Sequence, residues 1–167
     1  GDVYKRQVME DLEEQGTPFD RDLQIGIMVE VPSAVMLLDR FLPEVSFVSI
    51  GTNDLTQYAL AVDRGNKDVA ELYRASDPAV LRLIKMTIDS ALARDVPVNL
   101  CGQMCGNPLF SMLLIGLGLR SMSVRPSALL EIKQIVRHLN VKDCEEVAEN
   151  VMAVSYTHLT LPTTEYV

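Results

Sequence analysis

The sequence predicts an α/β fold of about four strand–helix units with parallel strands. Three observations predict it. Short apolar runs recur, Ile25-Gly26-Ile27-Met28-Val29, Phe47-Val48-Ser49-Ile50 and Val96-Pro97-Val98-Asn99-Leu100, each too short for a helix. Each is followed by helix-like sequence, and such alternation implies parallel strands joined by right-handed crossovers. A reactive side chain, Glu30, Asp54 or Cys101, stands at the carboxyl end of each run. Parallel strands present those ends on one face, where residues distant in sequence converge in a crevice.

The elements follow in order. Val8-Met9-Glu10-Asp11-Leu12-Glu13-Glu14 reads as the last turns of a helix that stops before Gly16 and Pro18. A strand over 25–29 leads through Pro32 into a helix over about 33–40. A strand over 47–50 leads through residues 51–58 and a looped stretch into helices over about 68–74 and 78–94. A strand over 97–100 precedes a helix over about 108–116. A strand over 121–124 precedes one over 126–139, and a short helix closes the series over about 143–152. Four such units are half of an eight-unit (β/α)8 barrel, which needs about 250 residues. An open doubly wound sheet has the same strand count, although the phosphate-cradling patterns GxGxxG and GxxxxGK[ST] are missing. Half a barrel would expose two strand edges and is not expected to be stable alone.

Both ends look foreign to what lies between them. Residues 1–7 and 154–158 can be encoded by one DNA inverted repeat, which resembles the terminal repeat of a transposon-based library adaptor. We therefore read 1–7 and 154–167 as cloning or sequencing scars, and His158 carries no functional weight. Residues 8–153 form the domain, an internal piece of a longer gene. They hold 13 Lys+Arg against 21 Asp+Glu, so the net charge of -8 belongs to the domain itself. This acidity argues against non-specific nucleic-acid binding, which needs a basic surplus. The chain is 48% hydrophobic with no apolar run long enough to span a bilayer. Three cysteines and no signal peptide point to free thiols in a reducing compartment, hence the cytoplasm. No histidine near Cys101 and Cys105 completes a zinc ligand set.

The strand ends carry the chemistry. Glu30 and Asp54 on adjacent strands suit Mg²⁺, which takes few protein ligands and completes its shell with water and substrate oxygens. The alternative makes Glu30 a helix cap and Asp54 a turn residue. Asn53 adds donors in the same crevice, and Arg64 can bind phosphate or carboxylate bidentately unless it pairs with Asp63 or Asp68. Cys101 precedes Gly102, which allows close approach to the sulfur. With no histidine nearby in sequence, proton transfer is preferred to covalent catalysis; a small buried core residue is the alternative. His138 is read as a surface residue of a helix.

The stretches Gly26-Ile27-Met28-Val29-Glu30-Val31-Pro32-Ser33-Ala34, Ser49-Ile50-Gly51-Thr52-Asn53-Asp54-Leu55-Thr56-Gln57-Tyr58-Ala59-Leu60-Ala61-Val62-Asp63-Arg64-Gly65-Asn66 and Leu100-Cys101-Gly102 closely resemble the carboxyl-terminal barrel of the phosphoenolpyruvate-utilising enzymes. The likeness spans nearly all of 8–153. Within that family, Thr56 to Asn66 most resembles enzyme I of the phosphotransferase system, the phosphoenolpyruvate–protein phosphotransferase branch. The resemblance implies the C-terminal half of a TIM-type (β/α)8 barrel. It implies that Glu30 and Asp54 hold Mg²⁺, that Asn53, Asp54 and Arg64 bind phosphoenolpyruvate, and that Cys101 delivers a proton to C3 of the enolate to give pyruvate. It further implies phosphoryl transfer to a histidine on an upstream mobile domain, a phosphocarrier partner of the HPr type, service to sugar uptake or a nitrogen-related branch, and a homodimer. The upstream arginines and the phosphoacceptor histidine lie outside this chain, so the fragment alone is not expected to turn over. Phosphoenolpyruvate synthase, pyruvate phosphate dikinase and an inactive dimerisation module are the alternatives.

The chain departs from the family in one loop. After Cys-Gly the family continues with an acidic residue, a small residue and Gly-Asp, whereas this chain has Gln103-Met104-Cys105-Gly106-Asn107. Two negative charges near the thiol are absent, and Cys105 replaces a small packing residue.

Overall fold

The computed structural model describes residues 2–153. The expected carboxyl-terminal scar, 154–167, lies outside the described residues. Helix α1 (Asp2–Glu14) contains the expected helix end and runs on through residues expected to be scar. Strand β1 (Gly26–Val29) is followed by α2 (Pro32–Met36) and α3 (Leu38–Phe41), then β2 (Phe47–Gly51) by α4 (Thr52–Leu60). Helix α5 (Pro78–Leu92) precedes β3 (Val98–Cys101), α6 (Pro108–Gly116), β4 (Met122–Ser123), α7 (Pro126–Val136) and α8 (Val141–Ala153).

All four strands pair in parallel in the consecutive order β1-β2-β3-β4. The predicted α/β class with a parallel sheet is therefore observed. Local chemistry starts the helices where expected. Proline occupies the first turn of α2, α5, α6 and α7, where its missing N–H costs nothing. Asp77 and Asn107 cap α5 and α6, each accepting from the backbone N–H two residues on, at 2.8 and 3.1 Å. Asn107 is thus a capping residue.

Two expected helices differ. The helix over 33–40 is broken at Leu37 into α2 and α3. The helix over 68–74 is only a 3₁₀ turn, Ala70–Leu72. Leu72 stays 59% exposed, so no apolar face is buried to support a longer helix. Tyr73 leaves the turn in extended backbone and donates its hydroxyl to the Asn53 carbonyl at 3.1 Å, a long-range bond that local propensity cannot foresee.

The sheet has two unlike faces because successive strand side chains alternate. Val29, Val48, Ile50, Val98 and Leu100 turn to one face and join Val80, Ile84 and Ile88 of α5 and Leu114 of α6 in the core. Met28, Ser49, Asn99 and Cys101 turn to the other, where Ser49 Oγ donates to Asn99 Oδ1 at 2.6 Å across the β2–β3 pair. Met28 remains 47% exposed there.

Candidate active site

The carboxyl ends of β1, β2 and β3 bring the sequence-predicted residues to one rim. Glu30 follows β1 directly, Asn53 and Asp54 lie in the first turn of α4 after β2, and Cys101 is the last residue of β3, paired in register with Gly51. Gly51 makes this gathering sterically feasible. A Cβ placed there would stand 3.1 Å from Glu30 Oε2 and 3.2 Å from Met28 Sδ, so the bare backbone lets both side chains cross the end of β2.

Glu30 does not cap α2, whose N-cap is Val31 without a side-chain bond. Its part-buried carboxylate makes no ion pair or hydrogen bond among the described residues. Asp54 is a first-turn helix residue, where the positive end of the helix dipole favours its charge. Its Oδ1 lies 3.5 Å from Arg64 Nη2, with the two side chains 40% and 44% exposed. A pair so exposed contributes at most about 1 kcal/mol, so Arg64 is readily available to another anion. The expected alternative partners do not hold it; Asp63 Oδ1 instead accepts from the Gly65 N–H at 2.7 Å.

Asn53 and Thr52 fasten the α4 end of the rim to the loop after Cys101. Asn53 Oδ1 accepts from the Gln103 N–H at 3.1 Å, and Thr52 Oγ1 donates to the Cys101 carbonyl at 3.1 Å. Cys101 Sγ is partly exposed and has three polar or sulfur neighbours: Ile50 O at 3.5 Å, Met28 Sδ at 3.6 Å and Ser49 Oγ at 3.7 Å. These fix the thiol toward the open face of the sheet and not into the core. Cys105 is the contrast. It is buried, donates to Leu100 O at 2.9 Å, and has its pKa pushed up to about 12, first by burial and then by Cys101. It stays a neutral thiol at any physiological pH and serves as packing.

Gly102 sets the turn between Cys101 and this loop, with φ at +121°. An added Cβ would overlap Thr52 Oγ1 and approach Asn53 Oδ1 to 3.1 Å. The expected outcome of Gly102→Ala is a stability loss of about 2 kcal/mol in urea unfolding, from backbone strain alone, together with displacement of Asn53. An unchanged unfolding midpoint would show that the loop yields freely.

A pocket of about 360 Å³ opens beside the thiol, lined by Asn53, Cys101, Gln103, Ser123 and Arg125 among others. Arg125, just past β4, was missed in the sequence reading although it stands after a strand as Glu30 does. The donor set at the rim suits a hard cation. Two carboxylates are present, one without a partner, and no group of three or more His, Cys, Asp or Glu encloses a metal among the described residues. Such a pair leaves most of the coordination shell to water and ligand oxygens, which is the habit of Mg²⁺. Among the described residues no helix is long and apolar enough to cross a membrane.

The family described as PEP-utilising enzyme, PEP-binding domain (PEP being phosphoenolpyruvate) matches residues 3–141. A phosphoenolpyruvate-protein phosphotransferase of Borreliella burgdorferi is 45% identical over 141 residues, covering 84% of this chain and 25% of that protein. Those of Cupriavidus necator and Haemophilus influenzae are 44% and 42% identical, covering 84% and 85% of this chain and 24% and 25% of their own lengths. The chain spans about a quarter of the length of the curated relatives it matches. Because the family match extends over most of the sequence, the chain belongs to the PEP-utilising enzymes, within their PEP-binding domain.

Proposed function

We propose that residues 8–153 are the C-terminal half of a (β/α)8 barrel that binds PEP in a PEP–protein phosphotransferase, with 1–7 and 154–167 as scars. The consecutive strand order supports the barrel, because a doubly wound sheet reverses direction partway. So does the half-exposed face bearing Met28 and Cys101, since parallel sheets are covered on both faces. The relatives' names support the activity.

The observation that carries the reading is the part-exposed Cys101 thiol, anchored on the open face beside a rim of two carboxylates and an arginine. In this reading PEP lies over the rim with its methylene carbon at Cys101 Sγ. Asn53, Asp54 and Arg64 orient it, with Arg64 exchanging its weak pairing to Asp54 for the ligand's anionic oxygens. Glu30 and Asp54 would hold Mg²⁺, which when bound supplies positive charge for the enolate and phosphoryl oxygens. The phosphoryl group passes to a histidine of another domain, and the remaining enolate takes the Cys101 proton at C3 to become pyruvate; water then returns a proton to the thiolate. A phosphocarrier of the HPr type, a cytoplasmic setting and a homodimer complete the proposal. The exposed Leu109 and Leu130, at 86% and 80%, offer apolar surface for the last.

Cys101→Ala tests the assignment in the complete gene product. Pyruvate formation is expected to slow by about 10²-fold or more, while PEP affinity by calorimetry changes less than about threefold. Loss of PEP binding in that variant would overturn the proton-donor role.

A further inference from the structure

We propose that Arg125 is an anion-capture residue at the Cys101 pocket, drawing small carboxylates and phosphates to the thiol. The inference builds on the PEP reading and adds a residue to it. The domain as a whole repels such ligands: the chain carries a net charge of -8, while PEP at neutral pH is a near-trianion. Delivery therefore depends on local positive potential. Arg64 supplies part of it at the rim, where Asp54 at 3.5 Å offsets some of its charge. Arg125 is exposed, is the one charged residue lining the pocket that contains Cys101 and Asn53, and makes no ion pair or hydrogen bond through its guanidinium among the described residues.

Two features hold Arg125 there. Its backbone is extended, and Pro126 follows at the start of α7, which restricts the residue before it to that region. The loop that shares the pocket with it, residues 102–107, carries Gln103 and no acidic residue, so nothing on that loop neutralises the guanidinium. An unpaired charge in a concave site focuses its field on the interior.

Alkylation of Cys101 tests this without catalysis. Iodoacetate and iodoacetamide react identically, the thiolate sulfur forming a C–S bond as iodide leaves, but only the first is an anion. The ratio of their rates at Cys101, read by peptide mass spectrometry on the full chain, therefore reports the local potential and cancels the thiol's own reactivity. Cys105 and Cys144 are 1% and 0% exposed and do not compete. Arg125→Gln is expected to lower the iodoacetate-to-iodoacetamide ratio about three- to tenfold at low salt, with Arg125→Lys restoring it and 0.5 M salt abolishing the difference. A ratio unchanged in Arg125→Gln, or lowered equally in Arg125→Lys, would overturn the proposal. Protection of Cys101 from iodoacetamide by PEP with Mg²⁺ is measured beside it. Absent protection with an Arg125-dependent ratio removes the PEP reading and keeps the capture site, whereas protection with an Arg125-independent ratio removes only the capture site.

Discussion

Asp54→Asn is expected to lower kcat/KM for pyruvate formation by about a thousandfold in the complete gene product, the largest functional effect of any single change in this segment. Asp54 serves two proposed partners at once. Its carboxylate supplies one of the two hard-oxygen ligands for the cation, and its Oδ1 holds Arg64 at 3.5 Å, over the same rim. The amide keeps the size of the side chain and removes its charge, so a cation would be left with Glu30 alone. Arg64 would lose a weak ion-pair neighbour as well. Because Asp54 is 40% exposed and its pairing with Arg64 contributes little, folding should be unaffected, and circular dichroism should match the parent. Titration with Mn²⁺ followed by electron paramagnetic resonance reads the cation directly. The expected result is affinity weakened more than about tenfold; an unchanged Mn²⁺ affinity would remove Asp54 from the metal site whatever the activity.

The largest stability effect is expected at Gly116. Helices α6 and α8 approach so closely that a Cβ at Gly116 would overlap the carbonyl group of Cys144 and come within 2.9 Å of Ala148 Cβ. Backbone cannot move aside as a flexible side chain can. Gly116→Ala would gain about 1 kcal/mol from helix propensity, yet it must push the two helices apart and open the packing around Cys144 and Ala148. A net loss of about 3 kcal/mol or more in urea unfolding is expected. Gly106→Ala is the control. Its Cβ would meet only Ala128 Cβ at an ordinary 3.8 Å, so its unfolding free energy should stay within about 1 kcal/mol of the parent. Equal behaviour of the two variants would refute the close helix contact.

Particular residues mark how far the sequence could be read. The strand runs were legible to within a residue or two because apolar stretches end at turn residues and prolines, and α6 matches its expected span of 108–116. Glu30, Asn53, Asp54 and Cys101 were legible as strand-end residues. The helix expected over 68–74 was not a helix, since its stability required a surface to cover Leu72 that the tertiary fold does not supply. Arg64 was read as an anion-binding residue with Asp63 or Asp68 as its alternative partners, and only the tertiary fold sets it beside Asp54 instead. Arg125 gave only a weak signal, because its importance comes from sharing a pocket with Cys101, 24 positions earlier in a different strand–helix unit.

The sequence by itself determined which residues stand at the ends of strands, because apolar period, proline and capping chemistry act over a few positions. The tertiary structure alone decided that Gly51 makes way for Glu30 and Met28, that Cys101 faces the open side of the sheet while Cys105 is sealed beneath it, and that Arg125 shares the thiol's pocket. These are consequences of strand register and helix approach. Both arise from contacts between residues tens of positions apart, which no local pattern encodes.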